Sequence, residues 1–362
     1  MAKLSKHFCF KPWIERYIHF DTCGPCCVNH KLFKGNIREY ERSSELKQLR
    51  KDFLDGKKPT SCSGCWDAEE QGIKSVRQTD NVVKSKTPII SVSLSNKCNF
   101  KCRMCNPEDS SAWALDTEAC DVLGWHDVPT DTNLSTVNWI LNLAKKQRLH
   151  LRVMGGEPLI SDEFLHLMKE VDKHDLYKNI YLILTTNLSV LSYKGINYLQ
   201  YFEKFPKLDI YASFDGVGKV GEYIRHGFNF NKFDQNIQKA GKLITHLCVT
   251  IQLYNLFDMP NIFSYADKHN LEVNFNYLVT PSFLRIENLN SEDKKLVLKH
   301  YKDSNFSNEE LESMLSNTTT LNEKDKFFKY TKDLDIIWSK DFLQSIPQLE
   351  NLVCHYDPIF LQ

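Results

Sequence analysis

Residues 98–105 read Cys98-Asn99-Phe100-Lys101-Cys102-Arg103-Met104-Cys105 and follow the strand-like stretch Ile89-Ile90-Ser91-Val92-Ser93-Leu94-Ser95. This spacing puts three cysteines in one loop directly after a predicted strand. Thiolates are the usual ligands of iron–sulfur clusters, and three of them suit a four-iron, four-sulfur cluster whose fourth iron stays open for a cofactor or substrate. Zinc sites favour paired CxxC units and a closed shell of four ligands, so a zinc knot fits this spacing less well.

The composition of the 362-residue chain is that of an ordinary globular protein, with 42% hydrophobic and 25% charged residues. Its length suits two domains. The net charge is zero, so no overall field draws the chain to nucleic acid or to a membrane surface. Lys and Arg outnumber Asp and Glu in the first sixty residues, which indicates either a solvated basic face or a docking site for an acidic electron donor of the flavodoxin or ferredoxin type.

Cysteine usage bears on the cellular compartment. The N-terminus lacks the apolar run of a signal peptide, and no stretch approaches the roughly 18 apolar residues that span a bilayer. Nine of the twelve cysteines lie before position 106. Clustered cysteines without an export signal predict a cytoplasmic protein, because thiols in a reducing compartment bind metal or stay free.

Strand–helix alternation begins at about residue 86 and predicts a parallel α/β architecture. Helical patterns lie between the predicted strands, for example over 161–173 and 259–269. Residues 1–85 read as a cysteine-rich, irregular domain, residues 86–285 as the α/β core and residues 286–362 as a helical extension. The six predicted strands are 89–95, 149–154, 180–185, 208–214, 247–253 and 272–279.

A second motif, Gly155-Gly156-Glu157-Pro158, ends the second predicted strand. Paired glycines let the backbone approach a ligand closely, and the Glu157 carboxylate can accept hydrogen bonds from an ammonium group. Taken alone, such a segment is more often a simple turn. Its place one βα unit after the cysteine loop puts both motifs at the carboxyl ends of strands, where parallel barrels bind ligands.

Together, the CxxxCxxC loop and the Gly-Gly-Glu-Pro segment resemble the motifs of the radical S-adenosylmethionine (SAM) enzymes. The resemblance implies a partial, open (β/α)6 TIM-like barrel with a [4Fe–4S] cluster on Cys98, Cys102 and Cys105. It also implies that SAM binds the open iron, with residues 155–158 at its amino group. One electron would then cleave SAM to a 5′-deoxyadenosyl radical, which abstracts hydrogen from a substrate.

Polar residues at later strand ends match positions that this family uses around SAM. The resemblance implies SAM contacts at Asn187, Ser213, Asp215, Arg225 and Asn255. Arg225 would donate to the SAM carboxylate, and Met104 replaces an aromatic residue that the family often carries near the adenine. Loop residues such as Asn187, Asp215 and Asn255 can instead cap their own backbone, and that alternative stays open.

The N-terminal region contains a further set of cysteines, namely Cys9, Cys23, Cys26, Cys27, Cys62 and Cys65. Their pattern resembles the SPASM/twitch auxiliary-cluster domain, which usually follows the barrel. The resemblance implies a second, auxiliary [4Fe–4S] cluster on Cys9, Cys26, Cys62 and Cys65, with Cys23 and Cys27 as alternative ligands. A structural zinc site is the competing interpretation, because a CxxC unit with distant cysteines is also zinc spacing.

The resemblance makes a peptide the leading substrate class, modified by epimerisation, crosslinking or oxidation. An epimerase needs a thiol that returns a hydrogen, and Cys120 and Cys354 are the candidates, although each also suits an apolar core. Two alternatives stay open. One is a radical SAM enzyme acting on a small metabolite, sugar or nucleotide; the other is a non-catalytic iron–sulfur or zinc protein that senses redox state or scaffolds partners.

Overall fold

The computed structural model describes residues 5–70, 74–79, 87–125, 134–316 and 321–350. The chain divides into two compact units, the first made of residues 1–96, 131–185 and 192–209, and the second of residues 97–130, 186–191 and 210–362. None of the described helices is both long and apolar enough to span a membrane.

The described residues form strands β1 Glu15–His19, β2 Thr22–Gly24, β3 Phe33–Lys34, β4 Ile89–Ser93, β5 Lys101–Cys102, β6 Leu149–Met154, β7 Ile180–Thr186, β8 Ser192–Tyr193, β9 Ile196–Asn197, β10 Leu208–Ser213, β11 Arg225–His226, β12 His246–Ile251 and β13 Glu272–Tyr277. Their α-helices are α1 Lys11–Ile14, α2 Ile37–Arg42, α3 Ser44–Leu54, α4 Ser63–Glu70, α5 Val76–Thr79, α6 Ser111–Ala114, α7 Thr117–Leu123, α8 Leu134–Ala144, α9 Asp162–Lys173, α10 Leu199–Phe202, α11 Lys219–Ile224, α12 Phe230–Ala240, α13 Met259–His269, α14 Ser291–Asp303, α15 Glu309–Ser316, α16 Lys324–Trp338 and α17 Phe342–Ser345.

The first unit is organised around strands in the order β7-β6-β4-β1-β2-β3. The first four are parallel neighbours, while β2 and β3 add antiparallel strands. All five residues of β4 are buried, as expected for a parallel strand covered on both faces. Helix α9 begins after Ser161, whose hydroxyl oxygen accepts a hydrogen bond from the Phe164 amide at 3.0 Å.

The second unit contains the parallel strands β10, β12 and β13, with Tyr211 opposite His246 and His246 opposite Glu272. Helix α13 has a proline in its first turn, and its C-cap residue Asn270 adopts the left-handed conformation with φ of 54°. Helices α14 to α17 follow β13, and α14 begins with a capping box between Asn290 and Asp293.

The structure confirms the predicted α/β class with a mostly parallel sheet, and its described residues form no closed barrel. The expectation of an irregular N-terminal region is wrong, because β1 pairs in parallel with β4 and α1 to α5 also lie there. The hydrophobic pattern does not predict β1, because the charged residue Glu15 occupies a buried position in it. A buried carboxylate is unusual in a strand, and this one is paired with Lys11 Nζ at 2.5 Å. The predicted strand 247–253 ends early, at Ile251, since a 3-10 helix begins at Leu253.

Candidate active site

The three-cysteine loop lies in the second unit and is fixed mainly through its backbone. Cys102 belongs to β5, which pairs antiparallel with β11 so that Cys102 lies opposite Arg225. The indole of Trp113 donates a hydrogen bond to the Cys102 carbonyl oxygen at 2.9 Å, and the Cys98 amide donates to Ser111 Oγ at 3.1 Å. The short helix α6 therefore holds both the start and the middle of the loop.

The thiols of this loop interact with one another and with Arg225. Arg225 Nη1 donates to Cys102 Sγ at 3.7 Å. The hydrogen bond from Cys105, together with the Arg225 charge, lowers the pKa of the buried Cys102 thiol, while the pKa of Cys105 is raised by that hydrogen bond and by burial. The loop thus favours a thiolate at Cys102, which is the form of cysteine that binds metal.

Arg225 is itself oriented by a buried carboxylate. Its Nε lies 2.6 Å from Asp215 Oδ2, and the Asp215 side chain also accepts a hydrogen bond from the Thr250 amide at 2.7 Å. Burial raises the pKa of Asp215, and the Arg225 charge opposes that rise. The sequence identified both residues as candidates but gave no indication that they pair with each other.

Asn187 lies in a polar cluster beside the cysteine loop. Its Nδ2 donates to Asn99 Oδ1 at 3.0 Å, and Asn99 Nδ2 donates to Ser189 Oγ at 3.1 Å. These three residues line a cavity of about 60 Å³ whose other walls include Phe100, Phe228, Lys232 and Phe233. The sequence analysis did not identify Asn99 and Ser189 as candidates. Asn99 could have been identified, because it directly follows Cys98 in the cysteine motif.

The remaining predicted contacts of the second unit differ in their surroundings. Ser213 is half-buried at the end of β10, and Met104 is half-buried within the loop. Asn255 is fully buried and caps the backbone, since its Oδ1 accepts from the Gln252 amide at 3.0 Å and its Nδ2 donates to the Thr250 carbonyl at 2.9 Å. The structure therefore gives Asn255 the capping role that the sequence left open.

The two candidate hydrogen-donor thiols are those of Cys120 and Cys354. Cys120 is buried on α7, and its thiol donates to the Trp113 carbonyl oxygen at 3.2 Å. Burial raises its pKa, which is typical of a packed cysteine rather than a reactive one. Cys354 lies outside the described residues.

The Gly-Gly-Glu-Pro segment lies in the first unit, directly after β6. Gly155 and Gly156 both adopt positive φ, of 85° and 51°. Glu157 is fully buried, and its Oε1 accepts from the Leu159 amide at 2.9 Å, which caps the 3-10 helix Pro158–Ile160. The paired glycines are thus required by the backbone conformation at this strand end.

Alanine at Gly155 is expected to lower the free energy of unfolding by about 1–3 kcal/mol more than alanine at Gly195 does. The two glycines have similar φ, 85° and 78°, so the backbone strain is matched. A Cβ on Gly155 would lie 2.5 Å from Ser93 Cβ, whereas one on Gly195 would meet nothing within 4 Å. Urea unfolding of both variants measures the difference, and equal losses would show that Ser93 moves aside without cost.

Four N-terminal cysteines of the first unit line one small cavity, namely Cys9, Cys26, Cys62 and Cys65. These are the predicted auxiliary ligands. The alternatives point elsewhere: Cys23 donates to the Gly35 carbonyl oxygen at 3.5 Å, and Cys27 is exposed and does not line the cavity.

Two cations line the same cavity, Lys11 and Arg77. Arg77 Nε is buried and has no hydrogen-bond partner among the described residues. Burial raises the pKa of Cys9 to about 11, and burial together with the Glu15 carboxylate also raises that of Cys26. These thiols are therefore protonated in the free protein and would release protons on binding a metal. No group of three or more His, Cys, Asp or Glu side chains within the described ranges is already arranged as a metal site.

Comparison with known proteins places the cysteine loop in a family domain. The model of the Radical SAM superfamily matches residues 92–260. GTP 3′,8-cyclase of Sulfurovum sp. (strain NBC37-1) is 31% identical over 103 residues, which are 28% of this chain and 27% of that protein. GTP 3′,8-cyclase of Aliarcobacter butzleri (strain RM4018) is 33% identical over 107 residues, 30% of this chain and 29% of that protein. The matches thus span less than a third of these relatives.

Among solved structures, Streptococcus suis SuiB bound to the precursor peptide SuiA gives a TM-score of 0.43 at 12% identity, covering 86% of this chain and 62% of that one. SuiB bound to S-adenosylmethionine gives 0.39 at 11% identity, covering 84% and 69%. The family match includes the loop cysteines, Gly155–Pro158, Asp215 and Arg225. Residues 92–260, somewhat less than half of the chain, are therefore similar to the domain of the Radical SAM superfamily.

Proposed function

We propose that this protein is a radical SAM enzyme that binds a [4Fe–4S] cluster on Cys98, Cys102 and Cys105 and cleaves SAM there. The observation that carries the proposal is the loop itself: three cysteines lie at CxxxCxxC spacing directly after a strand, and the Arg225 guanidinium donates to Cys102 Sγ at 3.7 Å. When bound, the cluster would supply the electron that cleaves the sulfonium of SAM.

The protein's contribution is to orient the ligands and to shape the site. Arg225 stabilises the Cys102 thiolate, and Asp215 keeps the Arg225 guanidinium directed at that sulfur. Asn187 and Asn99 present amide groups to a small cavity beside the cysteine loop, where they are placed to hydrogen-bond a polar group of SAM. We assign SAM contacts to Met104, Gly155–Pro158, Asn187, Ser213, Asp215 and Arg225, and we leave out Asn255 because its side chain caps the backbone.

We further infer an auxiliary [4Fe–4S] cluster in an N-terminal domain of residues 1–85. In this proposal residues 86–285 form the radical SAM barrel and residues 286–362 form a helical extension. Its ligands would be Cys9, Cys26, Cys62 and Cys65, which share one cavity. Arg77 Nε lines that cavity without a hydrogen-bond partner among the described residues, and the sulfur atoms of an anionic cluster with four thiolates would accept a hydrogen bond from it.

We propose a peptide as the substrate, which the enzyme would modify, on the basis of the SPASM/twitch-like cysteine pattern. The electron donor we propose is a protein of the flavodoxin or ferredoxin type. Cys120 and Cys354 are the thiols proposed to return a hydrogen if the reaction is an epimerisation. A nucleotide is the second candidate, favoured by the 31% identity with a GTP 3′,8-cyclase over 28% of this chain. The substrate of either class should accelerate SAM cleavage when it is added to the reduced protein.

Anaerobic reconstitution followed by iron and sulfide analysis tests the two-cluster proposal. Two clusters give about eight irons per chain and one gives about four. Addition of SAM should change the EPR signal of the reduced loop cluster alone, because only that cluster has an open iron. Four irons with a SAM-dependent signal would eliminate the auxiliary cluster, and eight irons without such a signal would contradict the SAM site.

A further inference from the structure

Arg103 lies inside the cysteine loop, between Cys102 and Cys105, and its side chain is completely buried. Its guanidinium forms an ion pair with Asp335 of helix α16 and stacks on the ring of Tyr223, with 3.8 Å between Cζ and the ring centroid. A buried charge needs a partner of opposite charge. Asp335 supplies that partner from a helix more than two hundred residues further along the chain.

Helix α16 contacts the loop through two additional side chains. The hydroxyl of Tyr330 donates to the Arg103 carbonyl oxygen at 2.7 Å. The indole of Trp338 donates to Asp116 Oδ2 at 2.9 Å, and the same carboxylate pairs with Lys101 of the loop. Helix α16 thus contacts both the main chain and the buried side chain of Arg103, and it reaches Lys101 through Asp116.

The spacing along α16 explains how one helix makes all these contacts. Tyr330, Leu334 and Trp338 are four residues apart and share one helical face, next to Asp335. This helix begins at Lys324, well beyond the segment 92–260 that matches the family model. The contacts are therefore a property of this chain's C-terminal extension rather than of the matched domain.

We propose that α16 clamps the cysteine loop, with Asp335 and Tyr330 as positioning residues for the cluster on Cys98, Cys102 and Cys105. The inference rests on the proposed function, because it concerns that same cluster. Asp335 neutralises Arg103, so the clamp adds no net charge beside the cluster. Loss of the Asp335 charge would leave an uncompensated cation there and would raise the reduction potential of the cluster, since nearby charge is one determinant of that potential.

The experiment uses the full chain, reconstituted anaerobically, in four forms: the wild type, Asp335→Asn, Tyr330→Phe and the control Asp333→Asn. Asp333 lies on the same helix and pairs with the exposed Lys329 instead of the loop. Two quantities are measured on the SAM-sensitive EPR signal, so that the auxiliary cluster does not contribute. These are the rate at which a ferrous chelator removes the signal and the midpoint potential from a redox titration.

For Asp335→Asn we expect chelator removal to be about tenfold faster, the lower end of the range for losing an outer-shell partner at a metal site. Its midpoint potential should rise. Tyr330→Phe should accelerate removal a few-fold without moving the potential, because it removes a neutral hydrogen bond and no charge. Asp333→Asn should match the wild type in both measurements.

Equal rates and potentials for Asp335→Asn and Asp333→Asn would overturn the clamp. If Asp335→Asn fails to unfold cooperatively as the apo protein, Tyr330→Phe decides, and a removal rate equal to that of the wild type overturns the inference. A wild type that takes up iron but gives no SAM-sensitive signal overturns the proposed function itself, and the clamp with it. A SAM-sensitive wild type with an unresponsive Asp335→Asn overturns the clamp alone.

Discussion

Replacing Cys102 by alanine is expected to abolish SAM cleavage and to halve the iron content of the reconstituted protein. Cys102 is the loop thiol whose pKa is lowered by its hydrogen bond with Cys105 and by the Arg225 charge, and its loss removes one of the three proposed cluster ligands. With two ligands left, the loop cannot retain a cluster that needs three. Iron analysis and quantification of 5′-deoxyadenosine measure the two effects in one preparation.

Cys248→Ala is the matched control for this substitution. Cys248 is another cysteine of the second unit, but it is half-buried and lies on β12 outside the cysteine loop. The control should keep full iron content and SAM cleavage. Full cleavage by Cys102→Ala would rule out the assigned cluster ligands.

Replacing Arg225 by methionine is expected to lower the free energy of unfolding of the apo protein by about 3–5 kcal/mol, the usual cost of removing one partner of a buried ion pair. The carboxylate of Asp215 would remain buried, at 1% exposure, without its counter-charge. Lys194→Met is the matched control, because it breaks an exposed pair with Asp162 and should cost less than about 1 kcal/mol. Urea unfolding gives both values.

The pH dependence of this loss identifies its cause. Burial already raises the pKa of Asp215 in the folded protein, and removing Arg225 raises it further. A carboxyl group whose folded-state pKa is raised stabilises the fold when protonated and loses that contribution as the pH rises. The loss in free energy of unfolding caused by Arg225→Met should therefore become smaller toward acid pH. Adding Asp215→Asn to Arg225→Met should restore part of that free energy at neutral pH. A deficit that stays constant with pH would assign the loss to packing.

Strands with clear alternation could be predicted to the residue from sequence. On β6, Leu149, Leu151 and Val153 are buried and the residues between them are half-buried, so the period of two is visible in the sequence. Helix α13 is equally well marked, by a proline in its first turn and Asn270 after its last.

The N-terminal strand β1 could not be predicted in this way. It reads Glu-Arg-Tyr-Ile-His, which has no apolar alternation, and its partner β4 lies far along the chain. Burial of Glu15 is possible only because Lys11 and Ser91 bond its carboxylate, and those contacts exist only in the folded protein. Ser91 lies on β4, 76 residues further along the chain, and a local sequence pattern carries no information on so distant a partner.

In the candidate site, too, local features could be predicted from the sequence and long-range contacts could not. Cysteine spacing located the loop, because cluster ligands must lie at fixed intervals along the chain. The ion pairs around that loop could not be predicted from the cysteine spacing. They are Arg225–Asp215 and Arg103–Asp335, and each joins residues from different segments of the chain. Asn255 shows the converse problem: its position suggested a ligand contact, whereas its side chain caps the turn after β12.

The most direct test of the central claim is the formation of 5′-deoxyadenosine from SAM. The full chain is reconstituted, reduced anaerobically and incubated with SAM, and the product is quantified beside Cys102→Ala and Cys248→Ala. We predict 5′-deoxyadenosine and methionine in equal amounts from the wild type and from Cys248→Ala, and neither above background from Cys102→Ala. No 5′-deoxyadenosine from a wild type with its cluster intact and reduced would contradict the assignment of this protein as a radical SAM enzyme.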